Sequence, residues 1–111
     1  MSQSGNVVCV TIVAESLLEA RLVEDLRSAG ALGWTISAAR GAGPTDRRVS
    51  EIEGGSIRIE TLVSPEVAER IWDKLSADYF TDYALAAWSH DVYVARPVRY
   101  LGPAAASTDP R

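Results

Sequence analysis

The sequence predicts an α+β fold of two β-α-β halves joined by one long loop, and three observations predict it. Apolar residues run or alternate over several strand-length windows. Between them, two longer windows carry apolar residues at helical spacing. The windows fall in the order strand, helix, strand, a polar glycine-rich stretch, then strand, helix, strand. A strand, a crossover helix and a second strand form a right-handed unit. Two such halves side by side make a ferredoxin-like βαββαβ sheet with both helices on one face.

Residues 7–13, a β-branched apolar run, read as a buried strand. Ser16 is expected to cap the next helix, with Glu19 completing a capping box. Leu18, Leu22, Leu26 and Ala29 recur on one face, and Gly30 ends the helix. Gly33 precedes a second strand at residues 34–39, where Trp34, Ile36 and Ala38 alternate with Thr35, Ser37 and Ala39. A polar loop fills residues 41–55. The third strand, Ser56–Val63, puts Ile57, Ile59, Thr61 and Val63 on one face and Arg58 and Glu60 on the other. Ser64 and Pro65 start the second helix, as N-cap and first helical residue. Its apolar stripe is Val67, Ala68, Ile71, Trp72 and Leu75. The segment from Tyr79 to Trp88 is mixed, so the fourth strand is expected at residues 91–96, around Val92 and Val94, with Pro97 bending the chain. The domain is therefore expected over residues 7–102, and residues 103–111 as a disordered tail.

The chain has 111 residues, 47% apolar and 23% charged, the balance of one soluble globular domain. No apolar run approaches the roughly 20 residues that span a bilayer. Residues 1–6 hold no signal-peptide pattern, so a cytoplasmic location is expected. A net charge of −4 argues against non-specific nucleic-acid binding. One cysteine, Cys9, and one histidine, His90, exclude an intramolecular disulfide and a structural zinc site built within the chain. Cys9 reads as a small buried hydrophobe, and His90 as a structural or surface histidine, since no nucleophile has a visible partner. Asp82 and Asp91 read as solvated loop acids, and Tyr79, Phe80 and Tyr83 as core and interface aromatics. The sheet face opposite the helices would be open and partly apolar, which predicts a homo-oligomer.

The long loop is where binding is expected. Its 15 residues, 41–55, exceed the about two to five of an ordinary hairpin. It opens with Arg40-Gly41-Ala42-Gly43-Pro44-Thr45 and continues through Asp46-Arg47-Arg48. Glycines let backbone N–H groups approach an anion, and arginine supplies the countercharge through a planar fork. Of the 11 basic residues only Lys74 is lysine; an arginine-rich composition explains that count but not the clustering of Arg40, Arg47, Arg48 and Arg58 about one loop, or of Arg96 and Arg99 after the last strand. Walker and Rossmann glycine patterns are absent.

Several stretches then agree in order and spacing: Gly30-Ala31-Leu32-Gly33-Trp34-Thr35, Arg40-Gly41-Ala42-Gly43, Ile57-Arg58-Ile59-Glu60, Phe80-Thr81-Asp82-Tyr83-Ala84 and Val94-Ala95-Arg96-Pro97-Val98-Arg99. In these the chain resembles the PII signal-transduction family, and within it the PII-like, SbtB-like branch tied to bicarbonate uptake and carboxysomes. The resemblance implies a homotrimer with an adenine-nucleotide site in each cleft between subunits and a signalling T-loop between the second and third strands. Carried over, Gly33, Thr35, Gly41, Gly43 and Leu62 line one wall, with Arg58 on the same strand as Leu62. Arg96 and Arg99 reach in from the other wall, and Arg47 or Arg48 meets the phosphates. It implies a regulator rather than an enzyme, with no metal and no cofactor beyond regulatory ligands. Bicarbonate is a second expected ligand, and a bicarbonate transporter or a carboxysome-linked protein the expected partner; no nucleic acid is implied.

The chain departs from the nitrogen-regulating pattern in three places. Its loop is shorter and holds no tyrosine, which rules out uridylylation there. Leu85, Ala86, Ala87 and Trp88 stand where the family has Gly-Asp-Gly-Lys, which favours ADP or AMP over ATP. Thr45 is what the loop offers where the family's glutamine helps hold 2-oxoglutarate. The rival reading is a trimer of the divalent-cation-tolerance type, with a metal-linked or structural role. An acylphosphatase-like enzyme would need an asparagine at its cradle, and Asn6 precedes the first strand.

Overall fold

In the computed structural model, which describes residues 7–41 and 55–102, the β-branched run forms a central strand, β1 (Val7–Glu15). A 3-10 turn, Ser16–Leu18, leads into α1 (Glu19–Ala29), then β2 (Thr35–Ala39). β3 (Ser56–Val63), α2 (Pro65–Asp78), β4 (Ala86–Val92) and a short α3 (Val98–Leu101) complete the chain. The strands pair antiparallel in the order β2-β3-β1-β4, the predicted ferredoxin-like sheet. No helix of the described residues is long and apolar enough to cross a membrane.

Alternation along the strands sorts the sheet into two faces. Ile12 lies opposite Ile59, and Ile59 opposite Ile36. These residues meet Leu22 and Leu26 of α1 and Ile71 and Leu75 of α2 in one core. Tyr79, at the end of α2, is fully buried and donates its hydroxyl to Asp25 Oδ2 at 2.5 Å, which satisfies a phenol taken out of water.

The helix ends follow local chemistry. Gly30 sits at φ 113°, a left-handed conformation that glycine adopts without steric cost. Its N–H and that of Ala31 return to the carbonyls of Arg27 and Leu26, closing α1. Ser64 caps α2 as predicted, accepting the Val67 N–H at 3.1 Å, with Pro65 in the first turn.

Three expectations need correction. The fourth strand runs over Ala86–Val92, not residues 91–96. It pairs with β1 from Val13↔Ala86 to Val7↔Val92, so the start of β1 ends it at Val92 and leaves Val94 outside. Nor does Ser16 cap α1 through a capping box. The cap positions are Glu15 and Leu18, neither with a side-chain cap bond, because β1 runs on to Glu15 and a 3-10 turn absorbs Ser16. The face opposite the helices is partly apolar, as expected, through Val7, Val13 and Leu62, but it carries no isoleucine among the described strands. Every strand isoleucine points to the helices, and charged and aromatic side chains cross the other side. The expected tail at residues 103–111 lies outside the described residues.

Candidate functional site

The ends of the long loop are fixed by hydrogen bonds that its flanking strands provide. Ser56 Oγ donates to the Ala39 carbonyl at 2.7 Å, joining the last residue of β2 to the first of β3. The Ser16 N–H donates to the Gly55 carbonyl at 3.0 Å, tying the loop's exit to the turn after β1. Thr61 Oγ1 donates to the Gly33 carbonyl at 2.7 Å and fixes the turn that enters β2. Gly33 and Gly41 therefore stand at the two ends of β2, with Thr35 at its first position.

Strand register brings Thr35, Arg58 and Leu62 onto one face. Thr35 pairs with Glu60, Ser37 with Arg58, and Cys9 with Leu62. This is the face away from the helices. Across β1 the row continues from Glu60 through Thr11 to Trp88. Arg58 Nη2 meets Glu60 Oε2 at 3.1 Å, and its guanidinium carbon lies 5.7 Å from the centre of the Trp88 ring. An arginine on β3 thus reaches over β1 to a tryptophan on β4, and Thr11, between Glu60 and Trp88 in the row, is fully buried. Glu60, Trp88 and Thr11 are not among the predicted site residues. The Arg58–Glu60 alternation is readable in the sequence; Trp88 emerges only once β4 is in register.

Arg96 precedes α3 and Arg99 lies within it, both exposed. α3 packs against β3. A Cβ placed on Gly102 would come 3.8 Å from Leu32 Cδ1, so the end of α3 reaches the turn that carries Gly33. Among the described residues no hydrogen bond or ion pair joins Arg96 or Arg99 to Thr35, Arg58 or Leu62. Gly43, Arg47 and Arg48 lie outside the described residues. Cys9 is buried, as expected, and faces the exposed His90 across β1 and β4.

A hollow of about 360 Å³ lies between α1 and α2, lined by Asp25, Ser28, Ala29, Arg70, Asp73 and Lys74. Several of its polar groups are already engaged: Arg70 Nε donates to the Ala29 carbonyl at 2.9 Å, Lys74 pairs with Asp78 at 2.8 Å, and Asp25 holds Tyr79. Among the described residues no group of three or more His, Cys, Asp or Glu is placed to hold a metal ion.

The nitrogen regulatory protein P-II family model matches residues 7–99. The chain belongs to the P-II family. A PII-like signalling protein from Thermus thermophilus is 47% identical, over 90% of this chain and 99% of that one, with a TM-score of 0.76. CPII, a nitrogen regulatory PII-like protein from Thiomonas intermedia, shares the fold at 19% identity. Its structure bound to ADP, AMP and bicarbonate aligns with a TM-score of 0.80 over 90% of this chain and 97% of that one. A CPII structure bound to ADP and bicarbonate aligns at 0.79 with 20% identity, over 89% and 97%. The P-II match runs through the strand and loop-base residues described above, which in this chain carry Thr35, Gly41, Arg58 and Leu62.

Proposed function

We propose that this P-II chain is a cytoplasmic, trimeric regulator that binds adenine nucleotides, ADP or AMP in preference to ATP, in clefts between subunits. The observation that carries the reading is the P-II match over residues 7–99. CPII, which has the same fold, binds ADP, AMP and bicarbonate. Within this chain, the loop base is fixed by Ser56 and Gly55 beside a sheet face that carries Thr35, Arg58 and Leu62. In the proposed site Gly33, Thr35, Gly41, Gly43, Arg58 and Leu62 form one wall. Arg96 and Arg99 of the next subunit form the other, and Arg47 or Arg48 reaches the phosphates.

Bicarbonate is the proposed second ligand, and the loop is the element that reports occupancy. A ligand that binds one loop state better than another shifts the population offered to a partner. A bicarbonate transporter or a carboxysome-linked protein is the proposed partner, with inorganic-carbon or energy status as the signal.

A thermal-shift screen with AMP, ADP, ATP, cyclic AMP, 2-oxoglutarate and bicarbonate tests the reading. A ligand that binds only the folded protein raises its stability with concentration. ADP or AMP should raise the unfolding midpoint most, and 2-oxoglutarate should leave it unchanged. A midpoint that no adenine nucleotide moves at millimolar concentration contradicts the proposal.

A further inference from the structure

We propose that Trp88 is the positioning residue for Arg58, holding its guanidinium over β1 by the face of the ring so that the N–H donors not taken by Glu60 stay free for an anion. The inference rests on the nucleotide reading and names a residue that reading does not contain. Arg58 lies opposite Val13, and Trp88 opposite Thr11, so the two side chains start on strands separated by β1. Neighbouring strands stand about 4.8 Å apart, so the pair spans roughly 10 Å of sheet. Few side chains bridge that gap; arginine does, and here its guanidinium carbon stops 5.7 Å from the ring centre.

How the cation is held matters for what it can bind. Guanidinium has five N–H donors. A carboxylate holds it by consuming donors, as Glu60 does at 3.1 Å. An aromatic face attracts the cation electrostatically and consumes none. Trp88 thus removes the freedom of a long flexible side chain while leaving donors along its edges. Preorganised donors bind an anion better than mobile ones, because less side-chain entropy is lost on binding. Arg58 and Glu60 are both about four-tenths exposed, and Trp88 is 43% exposed, so the bridge lies open in the single chain.

The test is a double-mutant cycle read by ADP calorimetry, with light scattering on every sample to show an unchanged oligomer. Trp88→Leu should weaken ADP binding by about three- to tenfold, whereas Trp88→Phe, which keeps a ring face, should stay close to wild type. In an Arg58→Gln background Trp88→Leu should cost nothing further. Should Trp88→Leu unfold the chain, Trp88→Met replaces it, with apolar bulk but no ring face. Wild-type affinity in Trp88→Leu, or an equal loss with and without Arg58, overturns the positioning role and leaves the nucleotide reading intact. A wild-type chain that binds no ADP overturns that reading, and the positioning role with it.

Discussion

Arg21 shows how far a side chain's role departs from what its place in the sequence offers. It lies on α1 and is exposed, which by itself marks no role. In the fold it donates to the Tyr83 hydroxyl at 2.9 Å, and its guanidinium carbon lies 4.5 Å from the Tyr79 ring centre. It ties α1 to the segment that leaves α2. Arg99, in contrast, makes no side-chain hydrogen bond or ion pair among the described residues. Arg21→Ala should therefore lower the thermal midpoint of the nucleotide-free protein, and Arg99→Ala should leave it unchanged, as differential scanning calorimetry would read. Tyr79 makes a second residue-scale prediction. Burial first, and then the bond to Asp25, raise its phenol above the ordinary value of 10.0. The folded state then holds that proton more tightly than the unfolded state does. The associated stability is full below pH 10 and falls as the pH rises above it, toward the folded value. Tyr79→Phe should flatten this alkaline loss in denaturant titrations, while costing about 1 kcal/mol near neutral pH through the lost hydrogen bond.

At the scale of elements, strands and helices with a strong chemical signal are legible in the sequence and those without one are not. β3 is readable to its ends because buried and exposed residues alternate along it, and α2 because Ser64 and Pro65 mark its start. β4 is not. It is an edge strand in which Ala87 packs against the core while Ser89, His90 and Asp91 are exposed, so its apolar signal is weak, and Val92 at its end with Val94 beyond it draws the expected strand downstream. The long loop's place between β2 and β3 is legible in the sequence, but the bonds that fix its ends, from Ser56 and Ser16, and the Arg58–Trp88 bridge depend on cross-strand register, which no local pattern carries. Two substitutions test the element boundaries. Ser64→Ala removes the acceptor for the Val67 N–H and should cost about 1 kcal/mol in urea unfolding. Gly30→Ala forces a side chain into a left-handed conformation 3.1 Å from Val67 Cγ2 and should cost at least about 1–2 kcal/mol. An undiminished stability in Gly30→Ala would contradict the closing turn described for α1.

For the whole molecule, the proposed sites exist only between subunits. Light scattering should give three times the 12.0 kDa chain mass, and a monomer at micromolar concentration would remove the clefts altogether. Within a trimer, Arg99→Ala should weaken ADP by about tenfold, since a charge-assisted bond to phosphate is worth one decade of affinity or more. The oligomer must stay intact in that variant for the loss to count. The most direct measurement is a calorimetric titration of ADP into the purified trimer. The account predicts saturable binding with one ADP per chain. Absence of saturable binding up to millimolar ADP, in a protein that light scattering shows to be trimeric, would contradict it.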